Sequence, residues 1–203
     1  MRSRILCCLL ALALAGCSSP PSTPPETFNL NGLKVQFSPP PAGWRRNQIY
    51  LEKPTLGAPD GVCPAVYFTP PSGPGEMGVA NLSGIDLEAQ VWQDPLQALN
   101  QMVPAGVLGP VGKELTTENM ERIVLWVVKR QGRVLSQKEV QLGGSPAYQI
   151  EFELGQGPAA ERGVQIHALG PGRYAALFLR VPESIYKESR ALFDNMVRSF
   201  TFL

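Results

Sequence analysis

The chain has 203 residues, of which 44% are hydrophobic and 17% charged, a balance typical of a globular protein with an apolar core. It carries 18 basic and 17 acidic side chains. Arg2 and Arg4 fall in a predicted leader, so the remainder has 16 basic residues against 17 acidic ones and a net charge of −1. A nucleic-acid-binding protein needs a basic patch or stripe, and no basic run occurs along the chain. We therefore expect neither a largely disordered chain nor a nucleic-acid partner.

The N-terminus has the pattern of an export signal. Arg2 and Arg4 precede an apolar run at residues 5–15, which is followed by Gly16 and Cys17. These eleven residues are too few to form a transmembrane anchor, because a helix that rises about 1.5 Å per residue needs roughly 20 apolar residues to span a bilayer. Residues 1–16 are therefore predicted to be a cleaved signal peptide.

The residues before the predicted cleavage point resemble the lipobox of bacterial lipoproteins. Leu14, Ala15 and Gly16 lead directly into Cys17. In that family the cysteine thiol receives a diacylglyceryl thioether, a peptidase cuts before it, and in many bacteria the freed amine is acylated as well. The resemblance implies that Cys17 is the lipidated first residue of an exported protein. The alternatives are an ordinary signal peptide with an incidental cysteine, or an apolar first helix.

A proline-rich segment separates Cys17 from the folded part. Residues 18–27 contain four prolines among serines and threonines, a composition that favours extended polyproline conformation. We interpret residues 17–27 as the lipidated cysteine and its tether. Ser18 stands where the inner-membrane retention signal of enteric bacteria has Asp, and so resembles an outer-membrane sorting signal. In a host with two membranes, we expect the protein to be anchored on the periplasmic face of the outer membrane.

One further cysteine, Cys63, falls outside the leader and the lipobox. A single thiol cannot form an internal disulfide. We expect Cys63 to be a small, half-buried residue at the start of an apolar run. An intermolecular disulfide or a reactive thiol is the alternative.

The first half of the folded part alternates between strand patterns and loops rich in Pro and Gly. Residues 28–37 predict two short strands, or one bent strand, on either side of Gly32. Further strands are predicted at residues 47–53, 63–69 and 85–92, with loops at residues 54–61 and 70–78. Helices are predicted at residues 94–102 and from Thr116 or Thr117 to Gly132.

From residue 134 onward the pattern is that of an antiparallel sheet. Strands are predicted at residues 134–142, 146–154, 164–169 and 174–181, with a turn at residues 143–145 and a loop at residues 155–163. Residues 175–179 are apolar at every position, which indicates a central strand covered on both faces.

The chain ends with a helix and a short edge strand. The helix is predicted at residues 182–197 and the edge strand at residues 199–202. The inward positions predicted for this helix are Ile185, Ala191, Leu192, Met196 and Val197. Helices and strands in this order favour an α+β fold, with an antiparallel β-sheet flanked by helices.

This order of elements resembles the PsbP-like group, whose members have the Mog1/PsbP α/β/α sandwich fold. The resemblance rests on four stretches: residues 32–44, 143–148, 172–174 and 192–200. It implies a single PsbP-like domain over residues 28–203. The group includes a photosystem II lipoprotein of cyanobacteria and many bacterial lipoproteins, so it also implies a photosystem II assembly role if the host is photosynthetic. The Gly/Pro-rich residues 57–83 depart from the photosynthetic members, and membership of the wider group is what we expect.

Few residues have the chemistry of an active site. His167 is the single histidine and has no nearby carboxylate or second ligand, so it forms neither a triad nor a zinc site; we expect a structural role at a surface or half-buried position. Glu151 and Glu153 share one strand face and could bind a cation or act as acid and base, but we interpret them as its solvated side. Neither a phosphate-binding glycine loop nor a nucleophile elbow occurs. No catalytic residue, metal or cofactor is predicted, and the binding residues are left unassigned.

Three functions are open at this point. The favoured one is a non-catalytic, membrane-anchored lipoprotein that binds, assembles or stabilises an envelope or membrane complex. Its expected partners are the membrane, through the lipid, and a protein of unknown identity. The second is a carrier of a small ligand or metal ion, which would use the sheet face or the loops at residues 54–61 and 70–78. The third is an enzyme of unfamiliar type that would depend on His167 and Glu151.

Overall fold

A computed structural model of the chain describes residues 23–30, 32–49, 65–81, 125, 129, 132–170 and 173–203. The strands within these residues are β1 (Glu26–Leu30), β2 (Leu33–Phe37), β3 (Arg45–Ile49), β4 (Ala65–Thr69), β5 (Glu76–Asn81), β6 (Gly132–Leu142), β7 (Ser145–Leu154), β8 (Glu161–Gly170), β9 (Arg173–Pro182) and β10 (Thr201–Phe202). Helix α1 (Glu183–Ser199) lies between β9 and β10, and a 3-10 turn at Gly157–Ala159 precedes β8.

The strands form two antiparallel sheets. The large sheet has the order β3-β4-β5-β9-β8-β7-β6, and the small sheet has the order β1-β2-β10. Strand β9 is the fourth of the seven strands of the large sheet, and Ala175, Leu177 and Leu179 are fully buried on one of its faces. Ala176 is buried on the other face. The prediction of a central strand at residues 175–179 is confirmed.

The main core lies between one face of the large sheet, the small sheet and α1. Phe193 and Met196 of α1 are fully buried in it. An aromatic series joins the two sheets: Phe28 stacks on Phe37 with ring centroids 4.5 Å apart, and Phe37 meets Phe68 edge-on at 6.4 Å. Such pairs add about 0.5–1.5 kcal/mol beyond the area they bury. The small sheet is therefore packed onto the large one through β1, β2 and β4.

The second face of the large sheet is also buried over its middle strands. Tyr148, Ile150 and Phe152 of β7 are 3% exposed or less, and they lie outside the core cluster beneath α1. A sheet that is apolar on both faces is the middle layer of a sandwich. Together with α1 on the first face, this supports the predicted α+β sandwich.

Several of the predicted elements are confirmed with small changes at their ends. Residues 28–37 form two strands, β1 and β2, rather than one bent strand. The C-terminal helix runs from Glu183 to Ser199, and the predicted edge piece is β10 at the edge of the small sheet. The buried face of α1 lies about one position away from the predicted one. Tyr186 and Phe193 are buried, whereas Ala191 is only partly buried.

Two strands begin where loops were predicted, and glycine is the reason in both cases. Strand β5 starts inside the predicted loop at residues 70–78, and β8 starts inside the predicted loop at residues 155–163. A Cβ at Gly78 would clash with the carbonyl oxygen of Val66, and one at Gly163 would clash with the ring of Phe152. These glycines permit close approach of neighbouring strands, a role that a sequence pattern does not distinguish from chain breaking.

The remaining predictions fall wholly or mostly on residues that the structure does not describe. They are the signal peptide, Cys17 and most of its tether, the loop at residues 54–61, Cys63, the strand at residues 85–92 and the helix at residues 94–102. Of the helix predicted to end at Gly132, Leu125 and Lys129 are described and are helical, whereas Gly132 itself begins β6. Among the described residues, no helix combines the length and the apolarity needed to cross a membrane.

Candidate functional site

Glu151 lies at the centre of a cluster of polar side chains between β7, β8 and α1. Its Oε1 accepts hydrogen bonds from Arg162 Nη2 at 2.7 Å, from Arg162 Nε at 3.1 Å and from the Tyr186 hydroxyl at 2.8 Å. Its Oε2 accepts a longer bond, of 3.4 Å, from Arg190 Nη1. We call Glu151, Arg162, Tyr186 and Arg190 the Glu151 cluster. Because its members come from three elements, the cluster ties α1 to the sheet.

Strand register and helix periodicity bring the members of the cluster together. Glu151 is paired with Val164 across β7 and β8, so Arg162, two residues earlier in β8, has its side chain on the same face. Tyr186 and Arg190 are four residues apart on α1 and therefore neighbours on its surface. Arg190 Nη1 also donates to the Tyr186 hydroxyl at 3.1 Å, and the Arg162 guanidinium lies 4.4 Å from the centre of the Tyr186 ring.

Two further carboxylates contact the arginines of the cluster. Arg190 Nε donates to Asp194 Oδ1 at 2.8 Å, and Arg162 Nη1 lies 3.3 Å from Glu183 Oε1. Three carboxylates thus surround two guanidinium groups. With both oxygens of Glu151 occupied by donors, the cluster is a closed network rather than an open cation site.

The electrostatics of the cluster keep its charges in place at neutral pH. Burial acts to raise the pKa of Glu151, but hydrogen bonds from Tyr186 and Arg162 and the charges of both arginines outweigh it, so the pKa lies below its usual value. Burial and the hydrogen bond to Glu151 raise the pKa of Tyr186 to about 12. The pKa of Arg190 is also raised, because its bonds to Asp194 and Tyr186 outweigh its burial. Glu151 is therefore ionised and is a poor proton donor at neutral pH.

The prediction for this strand face is confirmed for one glutamate and wrong for the other. Glu153 pairs with Arg133 at 2.7 Å, and the side chains of Glu153 and Arg133 are 32% and 73% exposed, so this pair is in contact with solvent. The Glu151 side chain is only 16% exposed, because α1 passes over it. Arg162, Tyr186 and Arg190 were not predicted as its partners, since Tyr186 and Arg190 are a polar pair on a helix and only the fold shows what they face.

His167 is buried, and the expectation of a surface or half-buried position is wrong. Its side chain lies in β8, is 7% exposed and is tilted against the Tyr174 ring at a centroid distance of 5.9 Å. Its Nε2 lies 3.2 Å from Gln165 Oε1, and its Nδ1 lies 2.7 Å from the Tyr174 hydroxyl. Because Gln165 Oε1 can only accept, Nε2 carries the proton and Nδ1 accepts from Tyr174. Burial lowers the pKa of His167 to about 4, so the ring is neutral.

Glu151 and His167 do not share a site. Glu151 is on the face of the large sheet that α1 covers, together with its register partner Val164. His167 is three residues beyond Val164 in β8, so its side chain is on the opposite face. The two groups therefore cannot act on one substrate. Within the described residues, no group of three or more His, Cys, Asp or Glu side chains is arranged to hold a metal ion.

A shallow depression at the β6–β7 hairpin was not predicted from the sequence. It encloses about 380 Å³ and is lined by Glu139, Val140, Gln141, Pro146 and Ala147. Its two polar side chains are exposed on an edge strand. A binding site usually has polar groups that converge on a ligand within an apolar pocket, and this depression lacks that arrangement.

Comparison with known proteins gives the fold. No family model matches the chain, and no curated protein sequence matches it. The solution structure of cyanobacterial PsbP (CyanoP) from Synechocystis sp. PCC 6803 is 13% identical in sequence and matches 94% of this chain and 99% of its own, with a TM-score of 0.51. The chain has a PsbP-like fold. The fold predicted from the sequence is thereby confirmed.

Two further structures are less similar to this PsbP-like domain. LpqN, involved in cell envelope biogenesis of Mycobacterium tuberculosis, is 13% identical and matches 88% of this chain and 90% of its own, with a TM-score of 0.43. A protein of unknown function from Pseudomonas aeruginosa is 10% identical and matches 84% of this chain and 91% of its own, with a TM-score of 0.37.

Because of the Glu151 cluster, we expect Glu151 to contribute more than Glu153 to the free energy of unfolding of the domain. Glu151→Gln should lower the free energy of unfolding by about 1–3 kcal/mol, because it removes the charge of the carboxylate that two half-buried arginines share. Glu153→Gln, the matched control on the same strand, should change it by no more than about 0.5 kcal/mol, since its ion pair is exposed. Urea denaturation of both variants measures the difference. Equal losses would contradict the structural role of the cluster.

Burial of neutral His167 predicts that the PsbP-like domain loses stability in mild acid. The pKa is about 6.5 in the unfolded chain and about 4 in the folded one, so the unfolded state binds more protons in between. The stabilisation that neutral His167 provides is fully present above about pH 6.5. As the pH is lowered from there toward 4, the free energy of unfolding falls by about 1.4 kcal/mol per pH unit. Urea denaturation at pH 7 and pH 5 should show this loss, and His167→Gln should remove it. An unchanged pH dependence in the variant would argue against a buried neutral ring.

Proposed function

We propose that this chain is a membrane-anchored, non-catalytic binding module that assembles or stabilises a complex of the cell envelope. In a host with two membranes, Cys17 would hold it on the periplasmic face of the outer membrane. The partner would be a protein of the same membrane, and in a photosynthetic host photosystem II is a candidate.

The observation that carries the proposal is the set of hydrogen bonds made by Glu151 and His167, the two residues whose side chains were candidates for catalysis. Both oxygens of Glu151 accept bonds from cluster members, and both nitrogens of His167 are engaged by Tyr174 and Gln165. The two groups are on opposite faces of the sheet. Acid–base catalysis needs a group that can exchange a proton near neutral pH and reach the substrate. Glu151 and His167 meet neither condition, which favours a binding role.

The predicted anchor supports a role at the membrane surface. The Thr23 hydroxyl donates a hydrogen bond to the carbonyl oxygen of Pro39, so the chain is already attached to the domain at residue 23. Five residues lie between Cys17 and Thr23, and the six Cα-to-Cα steps that join them span at most about 22 Å. Two or three acyl chains on Cys17 would hold the protein on a membrane essentially permanently, because each buried methylene contributes about 0.8 kcal/mol.

Substitution of Cys17 tests the proposal. Cys17→Ser should release the protein from the membrane fraction while its domain remains folded, because the thioether can no longer form. Crosslinking of intact cells should join the wild-type protein to a specific envelope protein, and this adduct should disappear in Cys17→Ser.

Cys63→Ser is the matched control and should leave both membrane retention and the adduct unchanged. If Cys17→Ser stays with the membrane, the predicted anchor is wrong. If the wild-type protein is anchored but forms no reproducible adduct, the binding role is wrong.

A further inference from the structure

Two neighbouring loops at one end of the large sheet contain no charged side chain. The first, residues 38–44, connects β2 to β3, and the second, residues 70–75, connects β4 to β5. Arg45 pairs with Thr69 at the end of the β3–β4 ladder, so the two loops leave the sheet side by side. We call them together the loop end. Together the two loops make thirteen positions without a charge, in a chain that is 17% charged.

The loop end has the composition of a surface that meets a membrane interface. Six of its residues are proline, which has no backbone N–H to leave unsatisfied where water is scarce. Ala42 and Gly43 are exposed at the tip of the first loop, next to Trp44. Trp44 packs partly against the core, and its backbone N–H donates to the Pro41 carbonyl oxygen at 3.4 Å. Tryptophan is enriched at membrane–water interfaces, because its ring is apolar and its indole N–H is polar.

The charges bordering the loop end favour an anionic partner. Arg45 is exposed. Arg46 is 44% exposed, and its guanidinium pairs with Glu26 at 2.7 Å and lies 5.3 Å from the centre of the Phe28 ring. On the other side Glu76, the first residue after the second loop, lies 3.7 Å from Arg180. Arg180 also lies 3.5 Å from Glu161, so these two carboxylates share one guanidinium. Beside the first loop, exposed Arg45 adds a positive charge that complements lipid phosphates.

The tether leads to this same end of the domain. The Thr23 hydroxyl is bonded to the carbonyl oxygen of Pro39, which belongs to the first loop. From Thr23 the chain reaches Cys17 within about 22 Å. A domain of residues 28–203 has a radius of gyration of about 16 Å and hence a diameter of roughly 40 Å. The tether is shorter than the domain is wide, so the end opposite Thr23 cannot turn toward the anchoring bilayer.

We propose that the loop end rests on the phospholipid headgroups of the membrane to which Cys17 is anchored, with Trp44 in the interface and Arg45 on the phosphates. This contact rests on the proposed lipid anchor and adds an orientation to it. The opposite end of the large sheet, which includes the β6–β7 hairpin, then points away from the membrane. That end and the exposed edge strand β6 are left free for a protein partner.

Site-directed spin labelling of the lipidated protein tests the orientation. The starting variant carries Cys63→Ser, and a nitroxide is placed at Ala42→Cys in the loop end or at Gln141→Cys at the opposite end of the sheet, which is also exposed. Both proteins are reconstituted into vesicles of phosphatidylglycerol and phosphatidylethanolamine. Collision rates with a water-soluble nickel complex and with oxygen, which concentrates in the bilayer, report the depth of each label.

The label at position 42 should collide several-fold less often with nickel, and more often with oxygen, in vesicles than in detergent. The label at position 141 should not change. Arg45→Glu should reduce the protection at position 42, because a carboxylate is repelled by lipid phosphate. Lys138→Glu, the same charge reversal on the exposed face of β6, should have no effect.

The two proposals fail in different ways. If the wild-type protein is not retained by vesicles or by native membranes, the lipid anchor is wrong. If it is retained and the labels at positions 42 and 141 have the same accessibility, the anchor stands and the orientation is wrong. If position 42 is protected but Arg45→Glu leaves that protection unchanged, the assignment of Arg45 to the phosphates is wrong.

Discussion

Helix α1 is held to the large sheet by two kinds of contact, and the rest of the domain is arranged around it. Phe193 and Met196 bury the middle and end of the helix in the core, and the Glu151 cluster fixes its first half over β7 and β8. At its other end, the Ser199 hydroxyl accepts a hydrogen bond from the backbone N–H of Ser38 at 2.8 Å. The helix thus also fixes the start of the loop between β2 and β3. Strand β10 follows directly and completes the small sheet beside β2.

This arrangement accounts for how the polar groups are used. A half-buried carboxylate costs free energy unless charged donors satisfy it, and two arginines and a tyrosine satisfy Glu151. A buried imidazole avoids the same cost by remaining neutral between Tyr174 and Gln165. Both solutions stabilise the fold and make the groups unreactive.

The sequence predicted those parts of the fold that depend on local pattern. The hairpin of β1 and β2 around Gly32 and the C-terminal helix each have a clear hydrophobic periodicity, and the central strand β9 is a short apolar run preceded by turn residues. The loops predicted wrongly contain glycines, which occur both in loops and in strands that pack closely together. Gly78 and Gly163 interrupt a pattern as loop residues do, yet both lie within strands that pack too closely for a side chain.

The candidate site was less predictable than the fold, because its contacts are long-range. Glu151 belongs to a strand with a polar alternation, and nothing in that alternation shows that Tyr186 and Arg190, about 35 residues later, cover it. His167 was expected at a surface or half-buried position, because the burial of its strand face depends on elements other than β8. The lipobox resemblance at residues 14–17, in contrast, depends on adjacent residues alone, and it stays a prediction because these residues lie outside those that the structure describes.

A lipid on Cys17 is proposed to position this domain, and the mass of the N-terminal peptide of the mature protein shows whether that lipid is present. The protein would be purified in detergent from the membranes of its own host and digested, and the N-terminal peptide measured by mass spectrometry. We expect a peptide that begins at Cys17 and carries a diacylglyceryl group, with or without an additional N-acyl chain. A peptide that begins at another residue, or at an unmodified Cys17, would show that the proposed lipid anchor is wrong.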